Sequence, residues 1–178
     1  MRLFIAIDLP KEIKDYLYEL QKEIISKINT REIKIKWVHK KNIHCTLKFI
    51  KYFPEDKLDY LKKLVSEIKF EPFKAVLDGT GLFPSENYIR VVWVGLKAPE
   101  IFEIQQEIDE KLSDLFKKEK EFTTHLTLGR VKYMKDKEDL LKVIKSLKIE
   151  SKEFIIDKIK IFESKLTMDG PIYTEIKV

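Results

Sequence analysis

The sequence predicts an α+β fold built as a duplicated, bilobal domain. Two of its three histidines open the same four-residue pattern, His44-Cys45-Thr46-Leu47 and His125-Leu126-Thr127-Leu128, which lie 81 residues apart. Around each copy the apolar periodicity runs in the order strand, helix, motif strand, helix, strand. We therefore expect a single domain, residues 1–178, with half-repeats at about 1–84 and 85–178. Two mainly antiparallel sheets would face a central cleft across a pseudo-two-fold axis, with helices on the outer faces.

The first half-repeat is predicted from apolar spacing and chain-breaking residues. Pro10 and Pro54 each mark the start of a helix, since proline is favoured at helix N-termini. The expected elements, in order, are a buried strand at 2–9, a helix at 11–28, an alternating strand at 33–37, the motif strand at 43–50, a helix after Pro54, a strand at 73–77, a turn at 79–81 and a loop at 82–87.

The second half-repeat is predicted to follow the same order. The strand starts are shifted by about 86 residues and the motifs by 81, which favours duplication with small loop changes. The expected elements are a strand at 88–96, a helix from Pro99 to about Leu115, the motif strand at 125–131, a helix at 136–147, a strand at 154–162, a turn at Asp169-Gly170-Pro171 and a final strand at 173–176.

The repeated motif is suited to acid–base chemistry on a phosphodiester. Alternate side chains of a strand share one face, so His44 lies beside Thr46, and His125 beside Thr127. An imidazole with a pKa of about 6.5 can give or take a proton near neutral pH, and a hydroxyl can donate to an anionic oxygen. Regular alternation also places Lys48 on the histidine face. The alternative for Lys48 is an ordinary solvated lysine.

Composition narrows the class of protein. The formal net charge of +5 favours a polyanionic partner such as RNA, although many small basic proteins bind no nucleic acid. A single cysteine excludes an internal disulfide and fits a reducing compartment; Cys45 should point away from His44 and act as a small buried apolar residue. No secretory leader or membrane-spanning apolar run is expected, so the predicted location is the cytoplasm.

Several segments carry a resemblance to a known family. The chain resembles the 2H phosphoesterase superfamily, and within it the RNA 2′,3′-cyclic phosphodiesterases, also described as 2′-5′ RNA ligases. The similarity spans the whole chain in order. It is carried by 2–10, by Trp37-Val38 with 42–49, by 92–95, by 122–130, by 163–166 and by Gly170-Pro171-Ile172-Tyr173. The family usually has proline where this chain has Thr124, which removes one constraint on the approach to the second motif strand.

The resemblance implies hydrolysis of RNA 2′,3′-cyclic phosphate ends to 2′-phosphomonoesters, without metal or other cofactor. By motif position it implies that His44 is the proton donor to the departing 3′ oxygen and His125 the proton acceptor that activates water. Thr46 and Thr127 would hold the phosphate oxygens. Arg130 would add positive charge, but on a regular strand it points away from His125, so this role requires a bulge, for example at Gly129. The protein is expected to be a monomer.

Aromatic residues and competing functions leave alternatives open. Trp37, Trp93, Phe122 and Tyr173 can each stack a nucleobase or simply pack at the rim of the core. A metal site is disfavoured, because no third ligand has recognisable spacing to the two motif histidines. The alternative functions are ATP-independent 2′-5′ ligation of RNA at the same site, or an RNA- or nucleotide-binding module without turnover.

Overall fold

The architecture is taken from a computed structural model of the chain, which describes residues 1–168 and 170–178. Asp169, in the predicted turn, lies outside the described residues. The strands are β1 Leu3–Asp8, β2 Ile33–Trp37, β3 His44–Ile50, β4 Phe73–Ser85, β5 Tyr88–Lys97, β6 His125–Met134, β7 Glu153–Ile156, β8 Lys160–Thr167 and β9 Gly170–Ile176. The α-helices are α1 Lys11–Lys27, α2 Leu58–Ser66, α3 Glu100–Lys111 and α4 Lys137–Ser146, with short 3₁₀ turns at Lys40–Asn42 and Glu55–Lys57.

The strands form two groups that meet at one residue pair. The strand order in the sheet is β7-β4-β5-β6-β3-β1-β8-β9. β2 pairs with residues 129–134 of β6, beyond the point where β6 meets β3. The pairings are antiparallel. The predicted α+β class and antiparallel pairing are confirmed. The two expected sheets are, however, joined into one through a single register pair, Cys45 with Leu126. These residues hold the same place in the two motifs, so the approximate two-fold axis passes between them.

The helices cover one face of this sheet and leave the motif face open. The apolar positions of α1 recur at helical spacing, and Ile13, Leu17, Leu20 and Ile24 are buried. Leu61 of α2, Ile104 of α3 and Leu140 of α4 enter the same core, where they meet Ile5 and Leu47 from the strands. Burial of each such side chain contributes roughly 1.5–3 kcal/mol, so this shared core holds the motif strands in place.

Both motif strands contain one extra residue immediately after the threonine. On β3, Thr46 pairs with Ala6 and Lys48 with Ile5, so Leu47 is inserted. On β6, Thr127 pairs with Trp93 and Gly129 with Val92, so Leu128 is inserted at the equivalent position. A bulge of this kind reverses which side chains face each side of the sheet. The alternation predicted from the motifs therefore holds up to the threonine and reverses beyond it.

Two strand predictions differ from the structure. The predicted turn at 79–81 and the predicted loop at 82–87 are largely strand, because β4 continues to Ser85 past an irregularity at Gly79, which has a φ of +66° that suits glycine. The breaker-rich composition concealed this hairpin. The predicted strand at 154–162 is instead two strands, β7 and β8, which pair with β4 and β1 at opposite ends of the sheet.

Gly81 on β4 tests the packing of this hairpin. A Cβ at this position would overlap the indole ring of Trp93 on the neighbouring strand. We expect Gly81→Ala to lower the free energy of unfolding by about 1–3 kcal/mol, because the ring must leave its place. Thr80→Ala, which adds no atoms, is the matched control in denaturant-induced unfolding. Equal stability of Gly81→Ala and the control would contradict the packing described.

Candidate active site

The two His-x-Thr motifs lie side by side across the approximate two-fold axis. Cys45 and Leu126 are opposite one another in an antiparallel pair. Continuing that register by one residue in each direction places His44 opposite Thr127, and Thr46 opposite His125. All four side chains are on the face that the helices do not cover, and all are partly exposed. The structure thus brings the four predicted catalytic residues together in one cleft.

Each imidazole is oriented by a backbone carbonyl two residues earlier. The His44 Nδ1 lies 2.6 Å from the carbonyl oxygen of Asn42, and the His125 Nδ1 lies 2.7 Å from that of Thr123. Since a carbonyl only accepts, Nδ1 carries the proton in both rings. Nε2 is then the unprotonated nitrogen of the neutral ring. In His44 it is 2.9 Å from the Thr46 hydroxyl, which donates to it.

Burial keeps both histidines neutral at neutral pH. Loss of solvent lowers the pKa of His44 to about 4, although the Asn42 carbonyl and the carboxylate of Asp8 act in the opposite direction. Burial also lowers the pKa of His125; the carbonyl of Thr123 opposes this, and the positive charge of Arg130 adds to it. The two sites therefore differ in their nearby charge, with Asp8 near His44 and Arg130 near His125.

Arg130 lies on the histidine face, as a bulge at Gly129 would require. Leu126 and Leu128 are buried on the core face, and beyond the inserted residue Gly129 and Val131 take the buried positions while Arg130 is exposed. Its charge reaches both His125 and the hydroxyl of Tyr173. The structure thus places Arg130 on the face of the two histidines, and its binding of substrate stays a prediction.

Aromatic rings enclose the two imidazoles. Phe4 stacks on His44 with ring centroids 4.6 Å apart, and Tyr173 meets the same imidazole edge-on at 5.5 Å. Phe83 meets His125 edge-on at 4.9 Å, and Trp93 lies 6.2 Å away. Tyr173 therefore lies beside His44, and its stacking on a nucleobase stays a prediction. Sequence reasoning missed Phe4, which was assigned to a buried strand, and Phe83, which was assigned to a loop; the alternation of β1 was the available signal for Phe4.

Lys48 does not share the face of His44, and that prediction is wrong. The bulge after Thr46 turns Lys48 inward, where its side chain is 3% exposed. Its ammonium group donates to Asp109 at 2.6 Å and to the carbonyl oxygen of Lys117 at 2.7 Å, with Glu119 at 3.3 Å. The same bulge exposes Phe49, which regular alternation along the strand would place in the core. Lys48 thus binds the protein rather than a substrate.

The Lys48 ion pair anchors the segment that leads from α3 to the second motif. Burial disfavours the charged form of Asp109, but hydrogen bonds from Lys48, the Glu119 amide and Gln105 outweigh it, so the pKa of Asp109 is lowered. Further along, the Thr124 hydroxyl donates to the Leu96 carbonyl at 2.5 Å. Where the family usually has proline, this chain therefore fixes the approach to His125 by a buried hydrogen bond.

A cavity of about 320 Å³ opens on the side of His125, between the two motif strands and the segment that joins α3 to β6. Its size lies at the lower end of the range for small-molecule sites. The lining combines hydroxyl, imidazole, aromatic, carboxylate and aliphatic groups with the almost fully buried side chain of Lys48; it consists of Thr46, Leu47, Lys48, Phe49, Phe83, Glu119, Glu121, Phe122, Thr123 and His125. Within 1–168 and 170–178, no group of three or more His, Cys, Asp or Glu is placed to hold a metal ion.

Comparison with known proteins agrees with this geometry. The sequence model of the LigT like phosphoesterases matches residues 7–93 and again residues 94–173, once in each half of the chain. An RNA 2′,3′-cyclic phosphodiesterase of Methanocaldococcus jannaschii is 43% identical, with 99% of both chains covered. One of the same name from Methanothermobacter thermautotrophicus is 33% identical over 100% of this chain and 97% of its own.

Solved structures show the same fold. The Thermus thermophilus protein TT0787 superposes with a TM-score of 0.80 at 27% identity, covering 99% of this chain and 96% of its own. The E. coli LigT structure complexed with 3′-AMP gives a TM-score of 0.76 at 22% identity, covering 99% and 95% of the two chains. Among the described residues, the helices are all too short or too polar to cross a membrane.

The buried ion pair of Lys48 gives a direct test of its role. Removing one partner of such a pair typically costs about 3–5 kcal/mol, because the other charge stays buried without compensation. We expect Lys48→Met to lower the free energy of unfolding by about that amount and Lys48→Met/Asp109→Leu to recover much of it. Lys51→Met, at the exposed position that directly follows β3, is the control. A stable Lys48→Met variant with a raised KM alone would instead indicate that Lys48 binds substrate.

Proposed function

Because the chain belongs to the LigT like phosphoesterase family, we propose that it hydrolyses the 2′,3′-cyclic phosphate end of an RNA to a 2′-phosphomonoester. The observation that carries this proposal is the pairing of the two motifs across the approximate two-fold axis, with two neutral imidazoles and two hydroxyls on one open face. The names of the relatives from Methanocaldococcus and Methanothermobacter support the same substrate class.

Hydrolysis needs a base on one side of the phosphorus and an acid on the other. His125 would accept a proton from water at Nε2 as the water oxygen bonds to phosphorus. The bond from phosphorus to O3′ would break as His44 Nε2 gives its proton to that oxygen. Arg130 favours the neutral base at His125, and Asp8 favours the protonated acid at His44, but burial outweighs Asp8 and lowers the pKa of His44 to about 4, so the acid must gain its proton when the substrate binds.

The threonines and Arg130 would bind the charge that develops on the phosphate oxygens. Thr46 and Thr127 each stand opposite the histidine of the other motif, so their hydroxyls can donate to oxygens of a phosphate held between the rings. Arg130 adds a permanent positive charge on the His125 side. The bound phosphate is itself an anion, so its arrival raises the pKa of His44 and favours protonation of the acid. These roles rely on protein groups alone.

Ligation of two RNA ends through a 2′-5′ bond is the reverse use of the same groups. A 2′,3′-cyclic end would then be attacked by a 5′ hydroxyl in place of water, and the same acid and base would serve. No feature of the cleft favours the hydroxyl over water, so hydrolysis is the function proposed. A binding module without turnover is disfavoured by the paired and oriented imidazoles.

The reaction itself is tested by its product. The protein, in the presence of a chelator, is incubated with a short RNA that ends in a 2′,3′-cyclic phosphate. We expect a product heavier by one water that resists a phosphatase specific for 3′-phosphates, since O3′ is the leaving group. A 3′-phosphate would reverse the assigned geometry, and loss of activity with the chelator would contradict catalysis by protein groups alone.

The catalytic histidines are tested against the third histidine of the chain. We expect His44→Ala and His125→Ala each to lower kcat by about 100-fold or more, which is the usual contribution of a general acid or base. The temperature of thermal unfolding should stay the same, because the fold is retained. His39→Ala is the matched control, because His39 lies in the turn before Asn42 and its ring accepts from the Lys41 amide. A near-normal rate in either motif variant would remove that histidine from the mechanism.

The lowered pKa values predict an acidic optimum for kcat/KM. Turnover needs a protonated His44 and a neutral His125, and burial lowers the pKa of both rings, that of His44 to about 4, so the protonated acid is already rare in the free protein at neutral pH. Above pH 6.5 we expect kcat/KM to fall about tenfold per pH unit, since the protonated ring becomes rare. A pH profile with NMR titration of both rings checks this, and an optimum above pH 7.5 would contradict it.

A further inference from the structure

A ridge of exposed cations continues outward from the catalytic face along β2 and β6. In this pair of strands Lys36 is opposite Arg130, and Lys34 is opposite Tyr133. Lys34, Lys36 and Lys132 are exposed, and the ring of Tyr133 is 55% exposed. We call Lys34, Lys36, Lys132 and Tyr133 the β2–β6 ridge. Basic side chains interleaved with an aromatic ring are typical of surfaces that bind single-stranded nucleic acid.

The ridge shares the face of the active site. On β2, Ile33 is buried and Ile35 and Trp37 pack against the core, so the lysines between them point the other way. Residues that are opposite in a strand pair lie on the same side of the sheet, and Lys36 is opposite Arg130. The pairing of β2 with β6 skips Lys132, which is the extra residue of an irregularity, so from Arg130 to Tyr133 the strand extends less than the roughly 10 Å of a regular strand. The ridge therefore begins where the phosphate site ends.

The ridge cations form no ion pair within the part of the chain that the structure describes. Across 1–168 and 170–178, no carboxylate lies within ion-pair distance of Lys34, Lys36, Lys132 or Arg130, whereas the neighbouring Lys135 pairs with Glu32 at 3.0 Å. Like charges on adjacent strand positions repel one another. A row of phosphates would remove that repulsion and release counterions.

We propose that the β2–β6 ridge binds the RNA strand that precedes the cyclic phosphate, its lysines against the phosphates and Tyr133 against a base. This inference depends on the proposed function, because a cyclic phosphate closes the 3′ end and the chain can continue only in the 5′ direction. Substrate preference then follows: an oligonucleotide gains contacts on the ridge that a cyclic mononucleotide, held in the cleft alone, does not make.

The test compares a 2′,3′-cyclic mononucleotide with a six-nucleotide RNA carrying the same end. We expect a higher kcat/KM for the RNA than for the mononucleotide. A plot of log kcat/KM for the RNA against the logarithm of salt concentration should have a slope of about −0.7 for each phosphate contact. Lys34→Gln/Lys132→Gln should lower kcat/KM for the RNA by about tenfold and reduce that slope by about 1.4. Tyr133→Ser should lower it about fivefold or more. Neither variant should change turnover of the mononucleotide.

The matched control is Lys63→Gln/Lys142→Gln, which removes the same charge from exposed positions of α2 and α4 on the covered side of the sheet. Equal kcat/KM and equal salt slopes for the two substrates would contradict binding of RNA by the β2–β6 ridge. An equal loss of kcat/KM in the control variant would contradict it as well. Affinity for the RNA with a 2′-phosphate end is measured separately by fluorescence anisotropy. A loss of this affinity in the ridge variants supports RNA binding by the ridge even if no cyclic phosphate is hydrolysed. An unchanged affinity contradicts it.

Discussion

The contact between Cys45 and Leu126 is the constraint on which the site depends. Both side chains are fully buried, and they are the one register pair that joins the β1–β3 group of strands to the β5–β6 group in the described chain. Since they occupy equivalent positions in the duplicated motif, this contact places each histidine opposite the threonine of the other half. Burial also raises the pKa of Cys45 to about 12, so the thiol acts as core and not as a nucleophile.

The duplicated bulges then make the two halves chemically different. At the first position after the inserted residue, the first half buries Lys48 and the second half has Gly129, whose missing side chain leaves room for Ile35 and Trp37. At the next position the first half presents Phe49 and the second presents Arg130. One backbone irregularity, present in both halves, thus provides a buried ion pair in one half and a cation beside His125 in the other.

The apolar surroundings of the two imidazoles determine their protonation state in the absence of substrate. Each ring donates from Nδ1 to a carbonyl, which leaves Nε2 as an acceptor before any substrate arrives. Stacking of Phe4 on His44 and of Phe83 against His125 removes water and lowers both pKa values. An anion bound between the rings would raise both pKa values again, so in the proposed mechanism the protonation of His44 depends on a phosphate in the cleft.

The sequence by itself determined the α+β class, the duplication, the four motif side chains and the core face of each helix, because these follow from strand and helix periodicity and from a repeated motif. Only the tertiary structure decided the facing of Lys48, Phe49 and Arg130, since a bulge is set by pairing with the neighbouring strand and not by local composition. It likewise decided that β4 continues through Phe83 to the site, because pairing with β5 overrides a breaker-rich segment.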